Sequence, residues 1–233
     1  MPEHASAAGA AVCEPRAYDP AVVVRHIAHQ LRQPLGAIES IAHYLTLVLP
    51  RTEARARGQL VRLEEEIRHA QWVLTDALHL LGATPVNPHL LDLTEIVSKA
   101  LASFADSPGA TLSFSLDPEL PLVMLDVAHA EHLLHNVLSV FRRITSPLGT
   151  ISVLTYAKGG EVFLEIGSRS LEFAPGNVEA LFSPFDSPLP EGTGLALASA
   201  QRITEMHGGR IEAVSESPES LFVTVIFPPA PCA

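Results

Sequence analysis

In the first third of the chain, apolar residues recur at steps of three and four positions. The first run contains Val23, Ile27, Leu31, Leu35, Ile38, Ala42, Leu45 and Leu49, and the second contains Leu60, Leu63, Ile67, Ala70, Leu74, Ala77 and Leu81. Such spacing aligns apolar side chains along one side of an α-helix. Pro50 ends the first helix, and Gly82 is a suitable C-terminal cap for the second. The pattern predicts two long amphipathic helices joined by a short turn.

Two helices joined in this way form an antiparallel hairpin, which we place at residues 20–84. A single hairpin leaves part of both apolar stripes in water, whereas two hairpins packed as a four-helix bundle cover them. The sequence therefore predicts a homodimer. In the alternative, the hairpin packs on the rest of its own chain. We favour that less because both stripes keep a near-heptad period.

After the hairpin, the pattern changes to short apolar segments that alternate with helical ones. We predict strands at 90–93, 111–116, 122–125, 150–157, 161–167, 210–214 and 221–227, and helices at 94–104, 126–143, 178–182 and 194–207. Thr94 and Asp126 are the expected N-caps of two helices, and Gly159-Gly160 marks a hairpin turn. Residues 85–229 are therefore predicted to form a second domain that contains both strands and helices.

Composition and charge exclude several classes of protein for this chain. A chain of 233 residues with 47% hydrophobic and 18% charged residues can form the hairpin and one further domain. A formal net charge of −11 disfavours nonspecific binding to nucleic acid. Cys13 and Cys232 give neither a disulfide framework nor a CxxC site, and no apolar run is long enough for a membrane span. We expect a cytoplasmic protein with a flexible leader at 1–19 and a tail at 230–233.

His29 lies on the polar side of the first helix. It is two residues from both Ile27 and Leu31, about 200° around the helix from each, and it is therefore predicted to face water. A lone exposed histidine is usually an ordinary surface residue. Pro34, however, lies within the same helical pattern, where a proline costs about 3 kcal/mol. A proline retained beside an exposed histidine indicates a functional site.

The segment from His29 to Leu35, HQLRQPL, resembles the H box of bacterial sensor histidine kinases, H-E-L-R-x-P-L. In that family the box lies in the dimerisation and histidine-phosphotransfer hairpin. The resemblance implies that His29 is the phosphoacceptor, which takes a phosphoryl group from ATP and passes it to an aspartate of a response-regulator receiver domain.

The residues after His29 both follow and depart from the family pattern. Gln30 replaces a residue that is commonly acidic and acts as a general base, and an amide cannot accept a proton in that role. This change weakens autophosphorylation more than phosphotransfer. The resemblance also assigns Arg32 to the catalytic motif, and it places Gln33 where a polar side chain orients water to dephosphorylate the regulator.

A second resemblance lies near the end of the chain. The segment from Pro190 to Ser215 resembles the second glycine box of the same family, E-G-T-G-L-G-L-A, followed by a helix and H-G-G. It implies an α/β sandwich of the histidine kinase/gyrase ATPase type, with Gly192, Thr193 and Gly194 at the nucleotide phosphates. The segment LFSPFD, residues 181–186, is similar to the family's phenylalanine box.

The other nucleotide motifs are incomplete. The family carries N-L-L-x-N-A on the helix predicted at 126–143, where Asn136 matches the first asparagine and Arg143 keeps a basic position nearby. Val140 stands at the asparagine that binds Mg²⁺, and its isopropyl group offers no lone pair to a hard cation.

The first glycine box, D-x-G-x-G, is also degenerate. Gly167 and Ser168 supply no carboxylate to read adenine, Arg169 and Ser170 replace glycines, and Ala196 replaces a glycine of the second box. We predict a domain that keeps the ATPase-type fold but binds ATP weakly or not at all. ATP and Mg²⁺ are cofactors only if this degenerate site still binds them.

Three functions are consistent with these residues. The favoured one is a dimeric phosphotransfer protein of a two-component system, with His29 as the phosphoryl carrier and a receiver domain as partner. The first alternative is an active ATP-dependent histidine kinase. The second is a non-catalytic pseudokinase scaffold that regulates a receiver or another histidine kinase.

Histidines elsewhere predict no metal site. His26 and His29 lie one turn apart, but the sequence places no third ligand beside them. His129, His132 and His135 repeat at every third position of one predicted helix, and we expect them to line its surface.

Overall fold

The structure, a computed structural model, describes residues 20–105, 109–172, 174–190 and 193–230. The predicted leader, residues 231–233 of the tail, both cysteines and Gly192 lie outside the described residues. Helix α1 spans Pro20–Val48 and continues through Pro34, and helix α2 spans Ala54–Leu80. The two predicted helices are therefore present, and we refer to them together as the hairpin.

The end of α2 has the predicted glycine cap. Gly82 has a φ angle of +61°, a left-handed conformation that glycine adopts without a Cβ clash. The N–H groups of Gly82 and Ala83 donate to the carbonyl oxygens of His79 and Leu78 at 2.9 Å each. Arg25 of α1 donates from Nε to Ala83 O at 3.1 Å, so this turn also ties the two helices together.

The remaining elements form a unit that we call the sandwich. Its strands are β1 (His89–Leu91), β2 (Thr111–Leu116), β3 (Val123–Leu125), β4 (Thr150–Lys158), β5 (Glu161–Ser168), β6 (Arg210–Val214) and β7 (Leu221–Phe227). Strands β1 and β3 pair antiparallel. The larger sheet has the order β2-β4-β5-β7-β6, in which only β2 and β4 run parallel. Gly159 and Gly160, both with positive φ, make the predicted turn between β4 and β5.

Three helices pack against the larger sheet: α3 (Leu93–Ala105), α4 (Val127–Ile144) and α5 (Gly194–Met206), with a short 3₁₀-helix at Glu179–Phe182. Asp126 caps α4 as predicted, because its side chain accepts from the N–H groups of Ala128 and His129. The predicted cap of α3 was wrong. The Asp92 carboxylate accepts from Thr94 N at 2.8 Å, whereas the Thr94 hydroxyl donates to Asp117 O.

The hairpin and the sandwich contact each other through the C-terminal half of α2, which packs against α4 and α5. The sandwich has its own hydrophobic core, in which Val140, Phe141 and Leu197 are completely shielded from solvent. Across the described residues, we find no helix that is both long and apolar enough to cross a membrane.

One side of the hairpin is apolar and open to solvent. Large hydrophobic side chains are exposed at Val22, Val23, Ile27, Leu31, Ile38, Ile41, Tyr44, Leu45, Leu47 and Val48 of α1 and at Val61 and Leu63 of α2. Much of the predicted apolar stripe of α1 is therefore not covered by the chain itself.

Candidate phosphotransfer and nucleotide sites

The candidate phosphoacceptor, His29, is exposed on α1 and directly follows Ala28, which is buried between the two helices. Its neighbour Ala28 packs against the end of α2, and at about 100° per residue His29 lies outside that contact, whereas Ile27 and Leu31 of the predicted stripe are themselves exposed. An imidazole in this position is accessible to a phosphoryl donor from outside the chain. Nucleophilic attack needs that accessibility.

The other residues of the candidate H box take different partners. Gln30 is hydrogen-bonded to His26, with 2.9 Å between Nε2 of the amide and Nε2 of the ring. Arg32 donates from its guanidinium to the Thr75 hydroxyl of α2 at 3.0 Å. Gln33 is exposed one turn after His29, on the same side of α1. His29 therefore lies on an exposed face of α1, with the Arg32 guanidinium and the Gln33 amide about one helical turn away.

The first residue of the candidate nucleotide site, Asn136 on α4, is buried and fully engaged within the chain. Its Oδ1 accepts from Trp72 Nε1 at 2.5 Å. Its Nδ2 donates to Asp76 Oδ1 at 2.7 Å and to Ala196 O at 3.2 Å. Trp72 and Asp76 belong to α2 and Ala196 to α5, so Asn136 joins the hairpin to two helices of the sandwich.

The position matching the family's metal-binding asparagine is apolar and closed. Val140 has no exposed surface and belongs to the core of the sandwich. No lone pair is available on this side chain, and its contacts are with other hydrophobic residues. Arg143, three residues later in the last turn of α4, is exposed.

The segment matching the first glycine box is packed against β7. A Cβ on Gly167 would collide with the ring of Phe222. Arg169 lies over the same ring, 4.9 Å from its centroid, and pairs with Glu216 at 2.8 Å. Ser168 is buried. These contacts place a cation and an aromatic ring, rather than a carboxylate, where the family pattern has its adenine-reading acid.

The second glycine box leads into α5, which begins at Gly194 as predicted. Thr193 is buried, and its hydroxyl donates to Pro190 O at 2.5 Å. Ala196 is also buried, so its methyl group fills space that a glycine would leave open. Gly192 lies outside the described residues. A cavity of about 640 Å³ lies elsewhere, between the 3₁₀-helix, α5 and β6.

A group of histidines at the contact between α2 and α4 was missed from the sequence. The prediction that the α4 histidines line a surface was wrong, because His129 and His132 are buried and His135 is half-buried. The ring of His132 stacks on Trp72 with centroids 4.3 Å apart, and His79 packs edge-on against His129 at 4.8 Å. The signal that could have revealed this group is the pair Asp76 and His79 on α2, which lie about one helical turn apart, as the α4 histidines do.

Burial is the main cause of lowered pKa values at His79, His129 and His135. Desolvation, helped by the neighbouring His132, lowers the pKa of His79 to about 4, and the same two causes lower the pKa of His135 to about 4. Desolvation also lowers the pKa of His129. The imidazoles of His79 and His135 are therefore neutral at pH 7, each with an unprotonated ring nitrogen available as an acceptor or ligand.

Comparison with known proteins finds relatives among histidine kinases and a matching family of ATPases. The family described as histidine kinase-, DNA gyrase B-, and HSP90-like ATPase matches residues 125–231. Sensor histidine kinase ZraS of Klebsiella oxytoca is 26% identical over 209 residues, and ZraS of Escherichia coli K12 is 27% identical over 206. Residues 125–231 therefore belong to this ATPase family, and the chain is similar to two-component sensor histidine kinases over most of its length.

Each of these two alignments covers 87% of this chain and 44% of the relative, so the chain spans less than half of those histidine kinases. Solved histidine kinases share the fold. Full-length ShkA in complex with AMPPNP aligns with a TM-score of 0.70 and 20% identity, over 89% of this chain and 45% of that one. The Acinetobacter baumannii kinase AdeS aligns with a TM-score of 0.60 and 20% identity, over 87% and 98%.

Proposed function

We propose that this chain carries phosphoryl groups on His29 and exchanges them with the aspartate of a response-regulator receiver domain, without using ATP of its own. The observation that carries the proposal is the hydrogen bonding of the Asn136 side chain within the chain. Its amide oxygen and nitrogen are both bound by side chains of the hairpin. The candidate nucleotide residue Asn136 is therefore hydrogen-bonded within the chain, while His29 is exposed to solvent.

The transfer step needs only an accessible imidazole and a phosphorylated partner. The lone pair of a neutral His29 ring nitrogen attacks the phosphorus of the receiver's aspartyl phosphate, an N–P bond forms, and the P–O bond to the aspartate breaks. The freed carboxylate stays on the receiver. The reverse step returns the group to a second receiver. Arg32, one turn from His29 and bound to Thr75, is placed to offer further N–H donors to phosphoryl oxygens.

Several departures make the ATP-dependent alternative less favourable. Val140 gives no ligand to Mg²⁺, residues 167–170 give no carboxylate to adenine, and Gln30 gives no general base to His29. Gln30 is in addition held by His26. Phosphoryl transfer from ATP relies on bound metal and on positioning of the nucleotide, and these changes remove both.

We expect no heat of binding when the purified chain is titrated with ATP and Mg²⁺ up to millimolar nucleotide. Isothermal titration calorimetry measures this directly, with ADP as the second ligand. Binding of ATP at micromolar strength, followed by labelling of His29, would instead establish the active kinase. The proposal that ATP is not used would then be withdrawn.

We further propose that the hairpin forms a four-helix bundle with a second copy, because the apolar stripe of α1 is exposed in the single chain. Replacing Ile38 with glutamate places a charge within that stripe. We expect the Ile38→Glu protein to shift from twice the chain mass to the chain mass in light scattering, because desolvating a carboxylate costs several kcal/mol.

The matched control for dimerisation is His43→Glu. His43 is an exposed polar residue of the same helix, lying away from the stripe. Its replacement should leave the mass unchanged. A wild-type protein that is monomeric at all concentrations would contradict the dimer.

A further inference from the structure

We infer that Asp76, His79 and His132 form a binding site for a zinc-type divalent transition metal, which links the hairpin to the sandwich. Two of these residues come from α2 and the third from α4. One ligand atom from each of the three side chains lies within 4.8 Å of the other two. This site adjoins the candidate nucleotide site, since Asn136 donates to Asp76, but it does not depend on the proposed phosphotransfer.

The three side chains are buried far from bulk water. Asp76 and His79 are each 3% exposed, and His132 is 6% exposed. Polar groups at this depth normally satisfy their hydrogen-bonding capacity, because leaving one unpaired costs about 1–3 kcal/mol. Among the described residues, His79 Nδ1 has no hydrogen-bond partner. A purely structural cluster would leave that nitrogen unsatisfied, whereas a metal-binding cluster can use it.

The set of donor atoms matches zinc better than the alkaline-earth ions. Two imidazoles and one carboxylate are common ligands of Zn²⁺ at about 2.0–2.1 Å, whereas Mg²⁺ and Ca²⁺ take mainly oxygen ligands. The neighbouring His129 packs against His79, and its Nδ1 is also buried without a partner among the described residues. His129 thus places a third imidazole beside the three proposed ligands.

The surroundings of the three residues also resemble the outer shell of a metal site. His132 Nε2 is 2.7 Å from Asp76 Oδ1, and Asn136 Nδ2 donates to the same oxygen at 2.7 Å. Metal binding through His132 Nε2 would replace the His132–Asp76 hydrogen bond. Asn136 then holds the ligating carboxylate in place, as outer-shell partners do.

The direct test uses the full chain freed of metal with a chelator and then titrated with Zn²⁺ alone, in competition with a chromophoric chelator. We expect one tight equivalent per chain. Trp72, the only tryptophan, stacks on His132, so its emission should change over the same equivalent. Co²⁺ in place of Zn²⁺ should give the intense visible absorption of a tetrahedral ion.

Variants separate this site from ordinary surface histidines. His79→Gln should lower Zn²⁺ affinity by more than about 100-fold, since even outer-shell changes typically cost 10–100-fold. His69→Gln, at an exposed position of the same helix, is the matched control and should bind as the wild type does. His26→Gln, beside His29, should also retain the site.

Equal Zn²⁺ affinity in the wild type and in His79→Gln would overturn the inference, because surface histidines would then account for the binding. If His79→Gln does not fold, the wild-type protein still decides. An octahedral Co²⁺ spectrum, or Trp72 emission that does not respond to one equivalent of metal, would exclude coordination at these three residues.

Discussion

Replacing His29 by alanine is expected to abolish phosphoryl transfer from a phosphorylated receiver domain to this protein. The wild-type chain, incubated with a receiver carrying aspartyl phosphate, should acquire an acid-labile phosphate on His29. The variant lacks the nucleophilic nitrogen, and no other group of the candidate H box can form the N–P bond. Because the change removes the reacting atom itself, labelling should fall to background, as measured by radiolabel transfer and mass spectrometry.

The matched control for this transfer is His26→Ala. His26 is also exposed, lies one turn before His29 and is bound to Gln30. Its loss should preserve labelling. Equal labelling of His29→Ala and the wild type would show that another residue accepts the group. A wild-type protein that no receiver labels, but that still changes the activity of a receiver or kinase, would favour the scaffold alternative.

Local patterns accounted for most of the fold. The apolar stripe of each hairpin helix and the short apolar segments predicted as strands are patterns within one element, which spacing in the sequence encodes directly. The caps at Gly82 and Asp126 were correct for the same reason, since each depends on its immediate neighbours. Thr94 failed as a cap because the helix begins one residue earlier, at Leu93, and Asp92 accepts from the Thr94 N–H.

The contact between the hairpin and the sandwich could not be predicted in this way. Asn136 accepts a hydrogen bond from Trp72 and donates one to Asp76, and both bonds join residues 60 or more positions apart in the chain. The helical pattern shows that Trp72, Asp76 and His79 share one side of α2, and that His132 and Asn136 share one side of α4. It does not show that these two sides meet, so the α4 histidines were assigned to the surface.

The candidate nucleotide site illustrates a different limit. Motif comparison identified the missing carboxylate and the missing metal ligand, because both are changes of residue type. It retained Asn136 and Thr193 as possible nucleotide ligands, since their residue types match the family. Only the structure shows that the polar side-chain atoms of both residues are bound within the chain.

Replacing Trp72 by alanine is expected to lower the free energy of unfolding by about 3 kcal/mol. The change removes a large ring packed against His132 and His135, and it leaves the buried Asn136 Oδ1 without its donor. Trp72→Phe keeps most of the ring contact but loses the N–H, and it should cost about 1–2 kcal/mol. Urea unfolding followed by circular dichroism measures all variants, since the fluorescent residue is lost.

The exposed position His69 on α2 again provides the control, and His69→Ala should change stability by less than about 0.5 kcal/mol. If Trp72→Ala is equally neutral, α2 and α4 do not make this contact in solution.

Calorimetry with ATP then separates two reasons for lost nucleotide binding. A site that is only blocked by Trp72 should gain affinity in Trp72→Ala. A site that lacks its own ligands, as Val140 and residues 167–170 indicate, should still bind no ATP, and this is the result we expect.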